Sequence, residues 1–254
     1  MKLTSIPFTL DTLMEPIYTA NKPGAALHVS VAGETLYERG FGMANVETGQ
    51  RITPQTNFRI ASVSKQFTAM GVALLEQQGK LRYEDTLLKF FPAFSTVGAE
   101  ITLRHLLTHT SGLQDYENLV DETSEQQVAD EEVLQLVAPL AETYFAPGTK
   151  YRYSNTGFVL LALVVERVSG LPYADFLQQH IFQPLQMQTT TLYHKSRQLT
   201  NRAMGYARGE AEAYRFSDQG TCTATMGDGC VYTSLQDYQK WHQALHTQIG
   251  RAHV

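Results

Sequence analysis

Apolar residues recur along the chain with two periods, and the switches between them outline its elements. Phe8, Leu10, Leu13, Met14 and Ile17 fall at helical spacing, so an amphipathic helix is expected over residues 8–20, broken by Pro23 and Gly24. Leu27, Val29 and Val31 then alternate with His28 and Ser30, the period of a half-buried strand. Ala32, Gly33 and Glu34 make a turn, and Thr35 to Phe41 returns as the second strand of a hairpin. Gly40, Gly42 and Gly49, followed by Thr53 and Pro54, predict an irregular crossing into a helix. Within that helix Val63, Phe67, Met70 and Leu74 form one apolar stripe, and Gly79 stands at a common stop. Ser62, Lys65, Ala69, Val72 and Glu76 fall on a different flank.

Further along, Leu81 to Phe94 predicts a short helical piece ending at Pro92. Thr102 caps a helix through Leu103, Leu106 and Leu107, stopped by Ser111 and Gly112. Residues 115–132 are rich in Asp and Glu and read as a solvated segment before a helix at Val133 to Val137. From Phe158 to Val165 every residue is apolar, and Ser169 and Gly170 follow, which argues for a buried helix. Tyr173 to His180 predicts another helix, broken at Pro184, and only Arg202 to Ala207 hints at extended chain between 188 and 226. Ser234 with Asp237 resembles a capping box that opens a helix through Leu235, Tyr238, Trp241 and Leu245. The expected organisation is one domain over residues 1–254, with a helical lobe at roughly 80–225 set after the hairpin and the serine-bearing helix.

Composition narrows the partners. At 254 residues the chain can bury a sizeable core, and no apolar run is long enough to span a bilayer. The net charge of −5 comes without a basic cluster, which argues against nucleic acid and anionic membranes and leaves a small-molecule or peptide substrate. The first residues carry one lysine and then Asp11 and Glu15, not a secretory signal pattern; a cytoplasmic location is favoured unless a signal has been removed. Cys222 and Cys230 lack the spacing of a zinc or redox motif, so two small buried thiols are expected, with a disulfide left open. His105 with His109 and His242 with His246 have the spacing of helical metal ligands. Neither pair carries the adjacent glutamate of a zinc protease, and no metal or other cofactor is expected.

The candidate chemistry begins at Ser62. Lys65 follows three residues later on a helix, where side chains three apart share a face, so its amine can reach the Ser62 hydroxyl. A desolvated lysine can take the proton that keeps a serine from attacking. Taken alone, the pair reads more simply as a capping serine followed by a solvated lysine. Tyr153, in Tyr153-Ser154-Asn155, offers a third member: a phenolate favoured by a nearby ammonium can shuttle a proton to and from the serine. Asn155 can hold a substrate carbonyl or position the lysine.

Several stretches in order resemble the penicillin-recognising serine hydrolases, in the branch of class C β-lactamases, D-alanyl-D-alanine carboxypeptidases and esterases. They are Tyr37 to Asn45, Thr53 to Ala69 around Ser62-Val63-Ser64-Lys65, Leu106 to Leu113, Pro147-Gly148 leading to Tyr153-Ser154-Asn155, and Met226 to Ser234. The resemblance implies an α+β fold, with an antiparallel sheet flanked by helices, a mainly helical lobe and an active site in the groove between them. It also implies that Ser62 is acylated by an amide, lactam or ester carbonyl. Lys65 and Tyr153 would share the acid/base work, Asn155 would contact substrate, and the Ser62 backbone N–H would form half of an oxyanion hole.

One departure stands out. The family's late Lys- or His-x-Gly motif has no match after Tyr153. The expectation is a chain shortened at its C-terminus, lacking the last sheet strands and ending in a tail, Arg251 to Val254, foreign to the family. Such a form would be weakly active or inactive and would self-associate through the incomplete sheet. The alternative function is a catalytically silent binding module or an inactive fragment of the same fold. The retained trio Ser62, Lys65 and Tyr153, which a pure binder does not need, weighs against it. β-Lactam, D-alanyl peptide and small ester all suit the same acyl-enzyme chemistry.

Overall fold

The computed structural model describes residues 6–121, 123–124, 126–193, 199–210 and 213–247; the tail at 251–254 lies outside them. Ile6–Met14 forms helix α1. It ends well before residue 20, because Pro16 lacks an N–H donor and crowds the residue ahead of it. Ala25–Val31 (β1) and Glu34–Phe41 (β2) make the expected hairpin. Ala32 and Gly33 turn it with φ of +51° and +85°, as a two-residue turn that matches the strand twist requires.

Met43–Asn45 (β3) pairs with Gln50–Arg51 (β4), and Phe58–Arg59 (β5) leads into a 3₁₀ turn over Ala61–Ser64. Helix α2 (Lys65–Gln77) continues that turn, followed by α3 (Leu87–Phe90), α4 (Leu103–Leu107) and α5 (Asp130–Val137). The long α6 (Asn155–Ser169) closes on Gly170 at φ +73°, and α7 (Tyr173–Leu177) runs on into a π turn at Gln178–Phe182. Thr191–Leu192 (β6), Tyr206–Arg208 (β7), Tyr214–Phe216 (β8), α8 (Met226–Gly229), Val231–Thr233 (β9) and α9 (Leu235–Thr247) complete the order. Strand β9 lies between β5 and β6, and β7 pairs with β8; every ladder is antiparallel.

The core is built around α6. All its side chains from Thr156 to Val165 are buried, and α2, α4, α5, α7 and α8 pack against it. A helix apolar on every side has to be enclosed in this way. Helix α9 packs on α2 through Trp241, whose ring lies 4.6 Å from Phe67 and whose Nε1 donates to Gln66 Oε1 at 3.1 Å. Among the described residues no single helix is long and apolar enough to cross a membrane.

Four expectations are corrected. The buried face of α2 is Phe67, Thr68, Gly71, Val72 and Leu75, whereas Val63 is 42% exposed. Residues 61–64 wind with three residues per turn, so the phase of Val63 does not carry into the α-helix. The helical piece at 81–94 shrinks to α3, which opens directly after an antiparallel bridge between Thr86 and Thr102. The strand content beyond the hairpin is larger than its pattern revealed, since strands of two or three residues are too short to display a period. Finally, the acidic segment is not simply solvated: Asp130 is buried and Tyr116 fully so. At α9 the Asp237 N–H donates to Ser234 Oγ at 3.3 Å, yet the Asp237 carboxylate turns to the Thr189 and Thr190 N–H groups at 2.7 and 3.0 Å. No disulfide joins Cys222 to Cys230; Cys222 is half-buried rather than buried, and Cys230 is buried, its thiol pushed up to about 12 by that burial.

Candidate active site

Ser62 is placed by a strained turn. Ala61, directly before it, sits at φ +45°, a region that side chains other than glycine seldom adopt. The flanking backbone is pinned: Ile60 N–H donates to Val231 O at 3.0 Å, and Val231 N–H donates to Ser64 Oγ at 3.1 Å. Strain of this kind persists only where the surroundings impose it. Ser62 is thereby exposed at the first turn, and its N–H is one of the groups that lack an acceptor within the helix.

Lys65 lies one turn on and is 7% exposed. Its Nζ reaches Ser62 Oγ at 3.2 Å, Asn155 Oδ1 at 2.7 Å and Asp228 O at 2.8 Å. An ammonium has three N–H donors, and three acceptors are present. A neutral amine here would still give two N–H groups to Asn155 and Asp228, with its lone pair left facing the serine. The Tyr153 hydroxyl donates to Ser62 Oγ at 2.7 Å, and Lys65 Nζ lies 4.9 Å from the Tyr153 ring centre. The folded chain thus brings together Ser62, Lys65, Tyr153 and Asn155.

Sequence reasoning missed the groups that hold them. Asp115 Oδ2 accepts the Asn155 N–H at 2.7 Å, and Ser154 Oγ caps α6 by accepting Gly157 N–H at 3.4 Å. Gln114 and Tyr116 are stitched to Thr156, whose hydroxyl donates to Gln114 O at 2.9 Å and accepts Tyr116 N–H at 2.8 Å. The short helix α8 presents the Asp228 carbonyl to Lys65. Its own carboxyl is buried and takes the Tyr116 hydroxyl at 3.1 Å, while burial raises its affinity for a proton. Asp130, deep behind, accepts Met226 N–H at 3.0 Å and is pushed up to about 7 by burial. Glu117 bonds to the Asn155 side chain and is also raised by burial and by Asp115. No residue pattern announces a main-chain acceptor such as Asp228 O; the acidic run from 115 to 132 was the one visible trace of the rest.

The histidine pairs serve as structural groups. His105 Nδ1 accepts Thr102 N–H at 3.3 Å in the cap of α4, and His109 Nδ1 accepts Ser154 N–H at 3.2 Å. The His242 and His246 rings pack edge to face, 4.7 Å apart, on α9.

The beta-lactamase family model matches residues 10–253. A penicillin-binding protein of Bacillus subtilis is 33% identical over 251 residues, 93% of this chain and 55% of its own length. A D-aminopeptidase of Brucella anthropi is 32% identical over 242 residues, covering 93% of this chain and 45% of its own. The chain therefore spans about half the length of these relatives. Among solved structures, the D-amino acid amidase from Ochrobactrum anthropi SV3 complexed with D-phenylalanine superposes with a TM-score of 0.83 at 26% identity. That match covers 99% of this chain and 72% of the amidase. With a family model matched over nearly its whole length and its folding pattern shared with solved members, the chain belongs to the beta-lactamase family.

Proposed function

We propose that the chain is a serine hydrolase that acts through an acyl-enzyme on Ser62. One observation carries this reading: Lys65 Nζ and Tyr153 Oη both hydrogen-bond Ser62 Oγ, at 3.2 and 2.7 Å. In the proposed reaction the Ser62 oxygen attacks the carbonyl carbon while its proton passes to Lys65 or Tyr153. The Ser62 N–H takes part of the negative charge that develops on the carbonyl oxygen. The same acid then returns the proton to the leaving group, and water cleaves the ester in a second step. Asn155 keeps Lys65 aligned through its oxygen, while its amide nitrogen faces Glu117.

An amide is the preferred substrate. The relatives named D-aminopeptidase and D-amino acid amidase support that choice. So does the acidic lining: Asp115 and Glu117 beside Asn155 suit a neutral or cationic acyl part better than an anionic one. The test is incubation with a fluorophosphonate and with a fluorescent penicillin, followed by peptide mass spectrometry. An adduct on Ser62 that vanishes in Ser62→Ala supports the reading, and a binding module of the same fold would give none.

A further inference from the structure

We propose that His109 is the positioning residue that holds Tyr153 against Ser62, by gripping the chain on both sides of the phenol. Its carbonyl accepts Arg152 N–H at 2.9 Å and its Nδ1 accepts Ser154 N–H at 3.2 Å, one residue before and one residue after Tyr153. Between these two bonds its ring stacks on the Tyr153 ring, with centres 4.5 Å apart and planes at 28°. Phe158 of α6 supports the imidazole at 5.2 Å, and Tyr151 meets it edge-on at 5.9 Å.

Tyr153 needs such a clamp. It is 43% exposed and lies in an irregular stretch ahead of α6. A displacement of about 1 Å in a reacting group can cost on the order of a hundredfold in rate. The backbone of His109 is itself held at φ +57°, where asparagine is tolerated and β-branched residues are not.

The grip works with a neutral ring. Accepting the Ser154 N–H needs the Nδ1 lone pair, so the proton of the neutral imidazole sits on Nε2. An imidazolium would carry a proton on Nδ1 and point a donor at a donor. The charged and titratable groups facing the ring are Lys65 from α2, Asp115 from the loop after α4, and the phenols of Tyr151 and Tyr153. Burial, and then the Lys65 charge, hold His109 below the ordinary histidine range, with Asp115 acting in the other direction. The clamp therefore stays closed at neutral pH and opens in acid.

The kinetic half of the test rests on the acyl-enzyme reading; the spectroscopic half does not. The full chain, His109→Phe and His109→Asn are compared for the rate of Ser62 modification by a fluorophosphonate across the acid to neutral range. Their Tyr153 signals are followed by ¹³Cζ-tyrosine NMR, assigned with Tyr153→Phe. His109→Phe keeps a ring without the acceptor and is expected to react roughly ten- to a hundredfold more slowly. His109→Asn places Oδ1 where Nδ1 stood, so it reacts within about threefold of the native chain at neutral pH and lacks the step of the native acid decline that coincides with the His109-linked shift of the Tyr153 signal. The native Tyr153 signal moves as His109 takes up its proton, and in both variants that transition is gone. Native rates in His109→Phe, that same step in the acid decline of His109→Asn, or a Tyr153 signal indifferent to pH would overturn the proposal. If the native chain yields no Ser62 adduct at any pH, the acyl-enzyme reading fails, and the NMR comparison alone decides on the clamp.

Discussion

The Lys65 amine donates to the main-chain oxygen of Asp228 at 2.8 Å, across 163 residues of sequence. That contact ties α2 to α8 and fixes the direction in which the third Lys65 N–H, or its lone pair, meets Ser62. Lys65→Met is expected to slow Ser62 modification by about a hundredfold or more, the scale of a lost general base. Lys65→Arg should fail equally, since a guanidinium holds its proton throughout the accessible pH range. Lys65→Met also leaves the Asn155 and Asp228 acceptors without a donor, at a cost of roughly 1–3 kcal/mol seen in urea unfolding. Full reactivity in either variant would remove Lys65 from the mechanism.

Gly227 offers a test of α8 without touching a reacting group. A Cβ there would collide with the backbone oxygen of Phe158 and approach Ala162 Cβ to 2.7 Å, while Thr68 Oγ1 already donates to Gly227 O at 2.6 Å. Backbone of α6 cannot yield, so α8 has to move. Gly227→Ala is expected to lose roughly 1–3 kcal/mol of stability. It should also slow Ser62 modification, because the Asp228 carbonyl shifts with the helix. An unchanged unfolding midpoint with unchanged labelling would contradict this packing.

Asp130 makes stability depend on pH in an unusual direction. Its folded-state affinity for a proton is raised, to about 7 from an ordinary 3.8, mainly by burial. Between those values the folded chain binds a proton that the unfolded chain has released. Stability from this group is therefore greatest below about pH 4 and falls as pH rises through 7. Asp130→Asn keeps an oxygen for the Met226 N–H and removes the titration. Its urea midpoint is expected to gain on the native chain as pH rises from 4 to 7; parallel profiles would disprove the assignment.

The face beside Ser62 carries a cleft of about 470 Å³ lined by Ala25, Ala26, Phe58, Ile60, Val63 and Leu235. Strand β1 pairs with β2 alone, so among the described residues its other edge is open beside that cleft. An open edge next to apolar surface favours pairing between copies. Sedimentation is expected to report concentration-dependent association, weakened by Ala26→Lys. A strictly monomeric native chain would count against self-association through this sheet.

Legibility followed the range of each interaction. The hairpin β1–β2, the enclosed helix α6 and the cap of α4 were readable, because period, turn residues and capping groups act within a few positions of one another. Val63 and Val72 exchanged places, since a 3₁₀ turn ahead of α2 altered the phase that a uniform helix would have kept. Strands β5, β6 and β9 became visible only as a set, each stabilised by ladders to distant segments.

At the site the same division holds. The sequence by itself determined that Ser62 and Lys65 share a face, because helical geometry brings residues three apart together. It nominated Tyr153 and Asn155 by motif, without any physical means of placing them beside the pair. Tertiary structure alone decided the 2.7 Å approach of Tyr153 to Ser62, the capture of Lys65 by a backbone carbonyl and the stacking of His109 on the phenol. Those contacts involve main-chain atoms, a positive φ and segments far apart in the chain, none of which residue identity encodes.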